Sequence, residues 1–183
     1  CRDAVTRGSL LPGPYFVYLL AGQFAEIAGL ECGITYDDGA PSGLNDHDRL
    51  DVYSWSLCAT LEFPGSDPAW PAPGSGNLIT WDSINLCQAG TVAVAGYFYV
   101  GAYGPDEMRL TVRPASGEAK VANCGSAETP LAPEALGTAV FSAGAAVEGY
   151  NPCDRGTAVS AVPTSWSRIK MLTGQAKGDR KSR

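Results

Sequence analysis

The sequence has few of the residues on which catalytic and metal sites most often depend. Its 183 residues include a single histidine, His47, and six cysteines without a CxxC pair. Structural zinc sites cluster cysteine and histidine ligands a few residues apart, so the spacing argues against zinc. Ser-His-Asp and Cys-His hydrolases need a histidine positioned by a third group, and no GxSxG motif occurs. The sequence therefore predicts a protein that is not an enzyme.

Long apolar runs and an overall positive charge are also missing. No stretch approaches the roughly 20 apolar residues of a membrane-spanning helix, so no membrane span is predicted. The net charge is -6, which opposes binding to nucleic acid, and no nucleic-acid partner is expected.

The charge is unevenly distributed along the chain. Residues 166–183 carry six basic residues and one acidic residue, a net +5, whereas residues 1–165 carry seven basic and eighteen acidic residues, a net -11. The basic tail is either solvated or in contact with the acidic body of a neighbouring copy. The second alternative assigns tail contacts to Lys177, Arg180, Lys181 and Arg183.

The cysteines indicate disulfide bonds rather than a metal site. They are spread along the whole chain, at Cys1, Cys32, Cys58, Cys87, Cys124 and Cys153. An even count at wide spacing favours three disulfides, and therefore an oxidising, extracellular location. Strands before and after the Pro/Gly-rich loop at residues 64–76 would bring Cys58 and Cys87 together, so this pair is predicted. The other pairings are left open by the sequence.

Short alternating segments separated by turn residues dominate the rest of the chain. In residues 91–113 apolar and polar side chains alternate, most clearly in the second half, as in a strand with one buried face. The Gly-Pro-Asp sequence in its middle favours a turn. Residues 91–113 are therefore predicted to form a β-hairpin.

The domain organisation follows from these alternating segments. Several short antiparallel strands with frequent Gly and Pro predict an all-β, immunoglobulin-like β-sandwich. A capping residue and regularly spaced apolar residues near the end predict one short helix. The predicted parts are an N-terminal arm at 1–13, the sandwich at 14–163, the helix at 164–173 and the basic tail at 174–183.

Aromatic side chains form the most conspicuous candidate site. Tyr97, Tyr99 and Tyr103 project the same way from the predicted central strand, and Trp55 on a neighbouring strand can join them. Aligned aromatic rings stack on sugars or form the centre of a protein interface. The alternative is that these side chains belong to a second buried face of the sandwich.

An acidic loop is a second, weaker candidate. Asp46, Asp48 and Asp51 offer the carboxylate oxygens that Ca²⁺ prefers. The ligand order of an EF-hand and its closing glutamate are missing, and exposed acidic side chains in loops are usually solvated. The sequence therefore predicts no cofactor, with a structural Ca²⁺ as the alternative.

Several segments resemble a known group of proteins. GPYFVYLLAG, YSWSLCATLEFP, VAGYFYVGAYGPDEMRLTVRP and TSWSRIKMLTG are similar to secreted, disulfide-containing proteins encoded in several copies by environmental, largely uncultivated bacteria. The resemblance spans about residues 13–172 and implies an extracellular, immunoglobulin-like fold. It implies no activity and no catalytic residues. The ending GQAKGDRKSR departs from that group.

These features together predict a structural role. The strand at residues 15–20 is apolar on both faces, and it is combined with a loose N-terminal arm, a tyrosine face and a basic tail. We expect a subunit of an extracellular filament or cell-surface assembly that polymerises head to tail through strand addition and terminal-arm contacts. Its partners would be copies of the same chain. The alternative is a secreted carbohydrate-binding or adhesive module that binds cell-surface glycans.

Overall fold

The computed structural model describes residues 1–37 and 46–154, and these residues form an all-β fold. Short 3-10 turns occur at Pro133–Ala135 and at Ala143–Ala145. The predicted helix at 164–173 and the basic tail at 174–183 lie outside the described residues. The strands are β1 (Arg7–Ser9), β2 (Leu11–Gly22), β3 (Glu26–Ile27), β4 (Gly29–Thr35), β5 (Leu50–Leu57), β6 (Leu61–Pro64), β7 (Gly76–Thr80), β8 (Gln88–Ala89), β9 (Val92–Ala102), β10 (Asp106–Thr111), β11 (Lys120–Ala122), β12 (Glu128–Pro130) and β13 (Thr138–Ser142).

The larger of the two main sheets contains eight of these strands. Its main path runs β1-β13-β10-β4-β11-β12, and β7 pairs with β4 and with β6. All of these pairs are antiparallel except β1 with β13, which is parallel. The β6–β7 hairpin carries the Pro/Gly-rich loop at its end.

The smaller sheet has the order β2-β9-β5, so that β9 is its central strand. Both pairs are antiparallel. The inner faces of the two sheets share one hydrophobic core. Its most buried members include Leu19, Val52, Phe98 and Val100 from the smaller sheet and Ile34, Ile79, Met108 and Phe141 from the larger one. A separate ribbon of β3 and β8 lies outside both sheets.

The strands on either side of residues 103–105 do not form the predicted hairpin. β9 pairs with β2 and β5, whereas β10 pairs with β13 and β4 in the other sheet. The backbone amides of Tyr103 and Gly104 donate to the carbonyl of Arg49 at 2.6 and 3.1 Å. The turn therefore carries the chain from one sheet to the other. Both strands are confirmed, but the prediction that they pair with each other is wrong.

Two β-bulges change which side chains face the core. Ala95 of β9 is skipped in the register with β2, and Tyr53 of β5 is skipped in the register with β9. A bulge adds one residue to one strand, so the alternation of faces shifts by one position there. The buried hydrophobic residues of β9 therefore have odd numbers before the bulge and even numbers after it: Ala93, Ala95, Phe98, Val100 and Ala102.

The N-terminal segment is bound to the body of the fold rather than loose. β1 pairs with β13, Cys1 forms a disulfide with Cys153, and the hydroxyl of Thr6 donates to the carbonyl of Gly149 at 3.0 Å. β2 begins at Leu11, before the predicted boundary. The prediction of a separate arm over residues 1–13 is corrected, because a parallel pairing with a distant strand leaves no local signal in the sequence.

The structure has two disulfides instead of the three predicted. Cys1 pairs with Cys153 and Cys87 pairs with Cys124, while Cys32 is buried and free and Cys58 is exposed and free. The predicted Cys58–Cys87 pair is wrong. The β6–β7 hairpin does form, but Cys58 lies at the end of β5 in the smaller sheet. Cys87 instead pairs with Cys124, two residues after the end of β11.

Candidate functional site

An aromatic face covers the outer side of the smaller sheet. β2, β9 and β5 all contribute to it, and one member follows β9. We use the term aromatic face for the side chains of Phe16, Tyr18, Tyr53, Tyr97, Tyr99 and Tyr103.

The register of β2 and β9 places four of these side chains together. Phe16 lies opposite Tyr99, and Tyr18 lies opposite Tyr97. Residues directly opposite in antiparallel strands share a face, with Cβ atoms about 5 Å apart. Ring centroids are 5.4 Å apart for Phe16 and Tyr99, 5.8 Å for Tyr18 and Tyr97, and 5.5 Å for Phe16 and Tyr97. The four rings therefore form one continuous cluster.

Tyr53 and Tyr103 extend the cluster towards the acidic loop. The Tyr53 ring centroid is 5.6 Å from that of Tyr99, and the Tyr53 and Tyr103 hydroxyl oxygens are 2.7 Å apart. The His47 ring centroid lies 4.7 Å from that of Tyr103. Burial, followed by the hydrogen bond with Tyr103, raises the pKa of Tyr53. A Cβ atom at Gly101 would collide with the Tyr53 ring, so a glycine is needed beneath it.

The aromatic face is exposed at its β2 end. Phe16 and Tyr18 are each 56% exposed, and Val94 beside them is 36% exposed. The alternative that these side chains form a second buried face does not hold within the described part of the chain. Large apolar side chains that remain exposed and contiguous are typical of an interaction surface.

Trp55 does not belong to the aromatic face. Its ring packs on the core side of the sheet, with ring centroids 4.7 Å from Phe98 and 5.3 Å from Trp70. Its indole nitrogen donates to Oε2 of Glu62 at 2.8 Å. The bulge at Tyr53 explains the correction, because it places Tyr53 and Trp55 on opposite faces although both have odd numbers.

The sequence located three of the six members of the aromatic face and missed Phe16, Tyr18 and Tyr53. The sequence did contain a signal for Phe16 and Tyr18, since the strand that begins near Pro14 has apolar residues on both of its faces. What the sequence lacked was the register that sets β2 beside β9. Tyr53 could not be found by alternation, because the bulge reverses its direction.

The acidic loop uses two of its carboxylates to hold its own backbone. The amides of Asp46 and His47 donate to Asp51 at 3.2 Å each, and the amide of Asp48 donates to Asp46 at 3.0 Å. Asp51 is fully buried, and its pKa is raised by burial and then by the charge of Asp46. Among the described residues, these three carboxylates do not converge into a set of metal ligands.

The remaining site predictions lie outside the described residues. The tail residues Lys177, Arg180, Lys181 and Arg183 all fall there.

Comparisons with known proteins identify no relative for this arrangement. No protein-family model, no curated protein and no solved structure matches the chain. Within residues 1–37 and 46–154, no helix has the length and apolar character required to cross a membrane.

Proposed function

We propose that the protein is a structural subunit of an extracellular filament or surface assembly, in which the aromatic face packs against another copy of the chain. The observation that carries this proposal is the 56% exposure of both Phe16 and Tyr18 within a continuous cluster of aromatic rings. Aromatic side chains dominate the energetic centres of protein interfaces. An immunoglobulin-like arrangement of the two sheets and secretion of the chain are parts of the same proposal.

The relative orientation of the rings favours a protein partner over a sugar. The interplanar angles are 77° for Phe16 and Tyr97, 45° for Phe16 and Tyr99, and 53° for Tyr18 and Tyr97. A flat sugar chain stacks best on rings that share a plane. Tilted and edge-on rings instead leave ridges and hollows, into which the side chains of a second protein surface can pack.

The N-terminal segment is a poor donor for strand addition. The Cys1–Cys153 disulfide and the pairing of β1 with β13 both hold it to its own copy. The aromatic face therefore replaces the N-terminal arm as the proposed contact between copies. The basic tail at 174–183 retains its proposed role beside the acidic body of a neighbour.

The assembly state of the oxidised protein tests this proposal. We expect regular polymers of the full chain in negatively stained electron micrographs, with matching growth in light scattering. Phe16→Ser and Tyr18→Ser should shift the protein to monomers, because each removes an exposed aromatic side chain from the contact. Leu61→Ser is the matched control, since Leu61 is 57% exposed on a different sheet. A wild-type protein that stays monomeric, or polymers that survive both substitutions, would refute the assignment.

A secreted carbohydrate-binding or adhesive module is the second candidate. Tyr97 and Tyr99 are partly exposed and carry hydroxyl groups that can bond to a sugar. This candidate predicts that Tyr97→Ala and Tyr99→Ala abolish binding on a glycan array and leave the assembly state unchanged. Assembly that is lost together with glycan binding would favour the structural role.

A further inference from the structure

The two sheets enclose the core fully along one side and leave it open along the other. On the β5 side, Leu50, Val52 and Ile79 are at most 1% exposed. On the β2 side, a groove of about 500 Å³ lies between β2 and the β1–β13 edge of the larger sheet. The β1 edge of the larger sheet and the β2 edge of the smaller sheet both line this groove.

The groove exposes side chains that point into the core. Val17 of β2, Leu110 of β10 and Ala139 of β13 pack against the core cluster but are only partly buried. Met108 and Phe141 form the buried floor below them. Exposed apolar surface of this kind is unfavourable in water, so burial by an additional apolar segment would stabilise the fold.

The groove also exposes the free edge of β2. This strand has twelve residues, and within the described residues it pairs only with β9. On an edge strand of an antiparallel sheet, alternate residues point their amide and carbonyl groups away from the sheet. The β2 edge can therefore accept another strand along most of its length.

The described chain ends beside this groove. Pro152 and Cys153 line the groove, and the carbonyl of Cys153 accepts a hydrogen bond from Nε2 of Gln23 at 3.1 Å. The Cys153 sulfur lies close to Gly22, the last residue of β2. Residues that follow position 154 therefore start at the C-terminal end of β2.

The sequence after position 154 has the composition that the groove requires. Residues 157–162 read Thr-Ala-Val-Ser-Ala-Val, which are small and mostly apolar, and Pro163 then ends the run. Six extended residues span about 20 Å, or about half the length of β2. Only residues 155 and 156 separate this segment from the groove, so its local concentration there is high.

We propose that residues 157–162 fill the groove of their own copy as an additional strand, antiparallel to β2. The direction follows from the starting point, because a segment that begins beside Gly22 runs towards Tyr15. The strand would bond to the free edge of β2 and cover Val17, Leu110 and Ala139. The smaller sheet would then have four strands. This proposal does not depend on assembly through the aromatic face.

Hydrogen exchange of β2 in the full chain, kept dilute, tests the pairing. We expect the β2 amides that do not bond to β9 to exchange at least tenfold more slowly than unprotected amides. Neighbouring residues of a strand point to opposite faces, so one of the variants Val159→Asp and Ser160→Asp places its charge in the apolar groove. That variant should remove the protection, and the other should largely retain it. Ser167→Asp, beyond the segment, is the control and should match the wild type.

Two results would overturn the pairing. One is exchange of these β2 amides in the wild-type protein at the rate of unprotected amides. The other is identical protection in Val159→Asp, Ser160→Asp and Ser167→Asp. Loss of protection caused by general unfolding is recognised independently, because the buried thiol of Cys32 would then react with alkylating reagents.

A photo-cross-link identifies the copy that supplies the strand. Benzoylphenylalanine in place of Pro163 lies just beyond the segment and adds no bulk within it. We expect a product of monomer mass, cross-linked within residues 11–17. A product of dimer mass would overturn the assignment to the same copy, and cross-links only to other regions would overturn the groove itself.

Discussion

Glu31 and Arg113 form an ion pair in a nearly buried position on the larger sheet. Nη1 of Arg113 lies 3.1 Å from Oε1 of Glu31. Only 18% of the Arg113 side chain and 4% of the Glu31 side chain are exposed. The Ser116 hydroxyl donates to the same oxygen at 2.8 Å, and Nζ of Lys120 lies 3.5 Å from the other oxygen. Burial raises the pKa of Glu31, but hydrogen bonds from Ser116 and Arg113 and the charge of Lys120 lower it by more.

Glu31→Gln should therefore destabilise the fold. The substitution leaves Arg113 in a largely buried position without its carboxylate, which costs about 3 kcal/mol for pairs of this kind. Urea denaturation at pH 7 measures the loss. Glu128→Gln is the matched control, because it removes an exposed carboxylate that bonds to Lys120. Exposed pairs contribute little, so equal effects of the two substitutions would contradict the role given to Glu31.

The Glu31–Arg113 ion pair also predicts how the stability of the fold changes with pH. The folded-state pKa of Glu31 is below its ordinary value of 4.5, so its contribution to stability is complete above that pH. The contribution is lost as the pH falls through the folded-state value. The difference in stability between the wild type and Glu31→Gln should shrink from pH 7 to pH 3. A difference that grows on acidification would show that the pKa is raised instead.

Local features of the fold could be predicted from the sequence, and pairing choices could not. The positions of β9 and β10 follow from alternation and turn residues, which depend only on neighbours in the chain. The partners of β9 and β10 depend on which segments share a core, so the expected hairpin was wrong. Disulfide pairing failed for the same reason, because Cys87 and Cys124 are separated by 37 residues and only the tertiary fold brings them together.

The candidate site was partly predictable for related reasons. Tyr97 and Tyr99 were found because the alternation around them is undisturbed on their side of the bulge. Trp55 was assigned to the wrong face because a bulge at Tyr53 leaves no signature in residue type. Phe16 became part of the site only through the register that sets it opposite Tyr99.

Asp37→Asn should alter the pH dependence of stability in the opposite sense to Glu31→Gln. The Asp37 carboxylate is buried, and its pKa is raised by burial and then by the charges of Asp46, Asp106 and Asp48, against the attraction of Arg49. A raised folded-state pKa means that ionisation costs stability, so this cost appears as the pH rises above the ordinary value of 3.8. Asparagine removes the cost.

We expect the stability of Asp37→Asn to rise relative to that of the wild type as the pH increases from about 3.5 to about 7. The backbone of Asp37 has φ 51°, a conformation that asparagine tolerates well. Chemical denaturation across this pH range measures the difference. Asp82→Asn is the control, and its stability should change with pH in the opposite direction. The reason is that hydrogen bonds from Asn85 and Ile84 lower the pKa of Asp82. If the difference in stability between Asp37→Asn and the wild type did not change with pH, it would contradict the repulsion between Asp37 and the neighbouring aspartates.

The two free cysteines should differ sharply in reactivity. Cys58 is exposed, whereas Cys32 is 1% exposed and burial, followed by the charge of Glu31, raises its pKa to about 12. The thiolate is the reactive form. Iodoacetamide should therefore add one label to the native, non-reduced protein, at Cys58, and a second only after unfolding. Cys58→Ser should leave no label on the native protein. Mass spectrometry that finds Cys32 labelled natively, or Cys58 blocked, would contradict the assigned pairing of the cysteines.

Gly96 provides a test of the position of the Trp55 ring. A Cβ atom at Gly96 would collide with that ring and with the carbonyl oxygen of Ser56. The ring is held by Trp70 and Phe98, so it cannot move aside without disturbing the core. Gly96→Ala should therefore destabilise the protein by about 2 kcal/mol, as overpacking commonly does.

Gly90→Ala is the matched control for Gly96→Ala. An added Cβ at Gly90 meets no atom within 4 Å, so its effect on stability should stay within about 0.5 kcal/mol. Urea denaturation followed by tryptophan fluorescence measures both variants, and a blue or red shift of the native spectrum should accompany Gly96→Ala alone. If Gly96→Ala were as stable as Gly90→Ala, the Trp55 ring could not lie over β9. Trp55 would then be free to join the aromatic face on the other side of the sheet, as the sequence predicted.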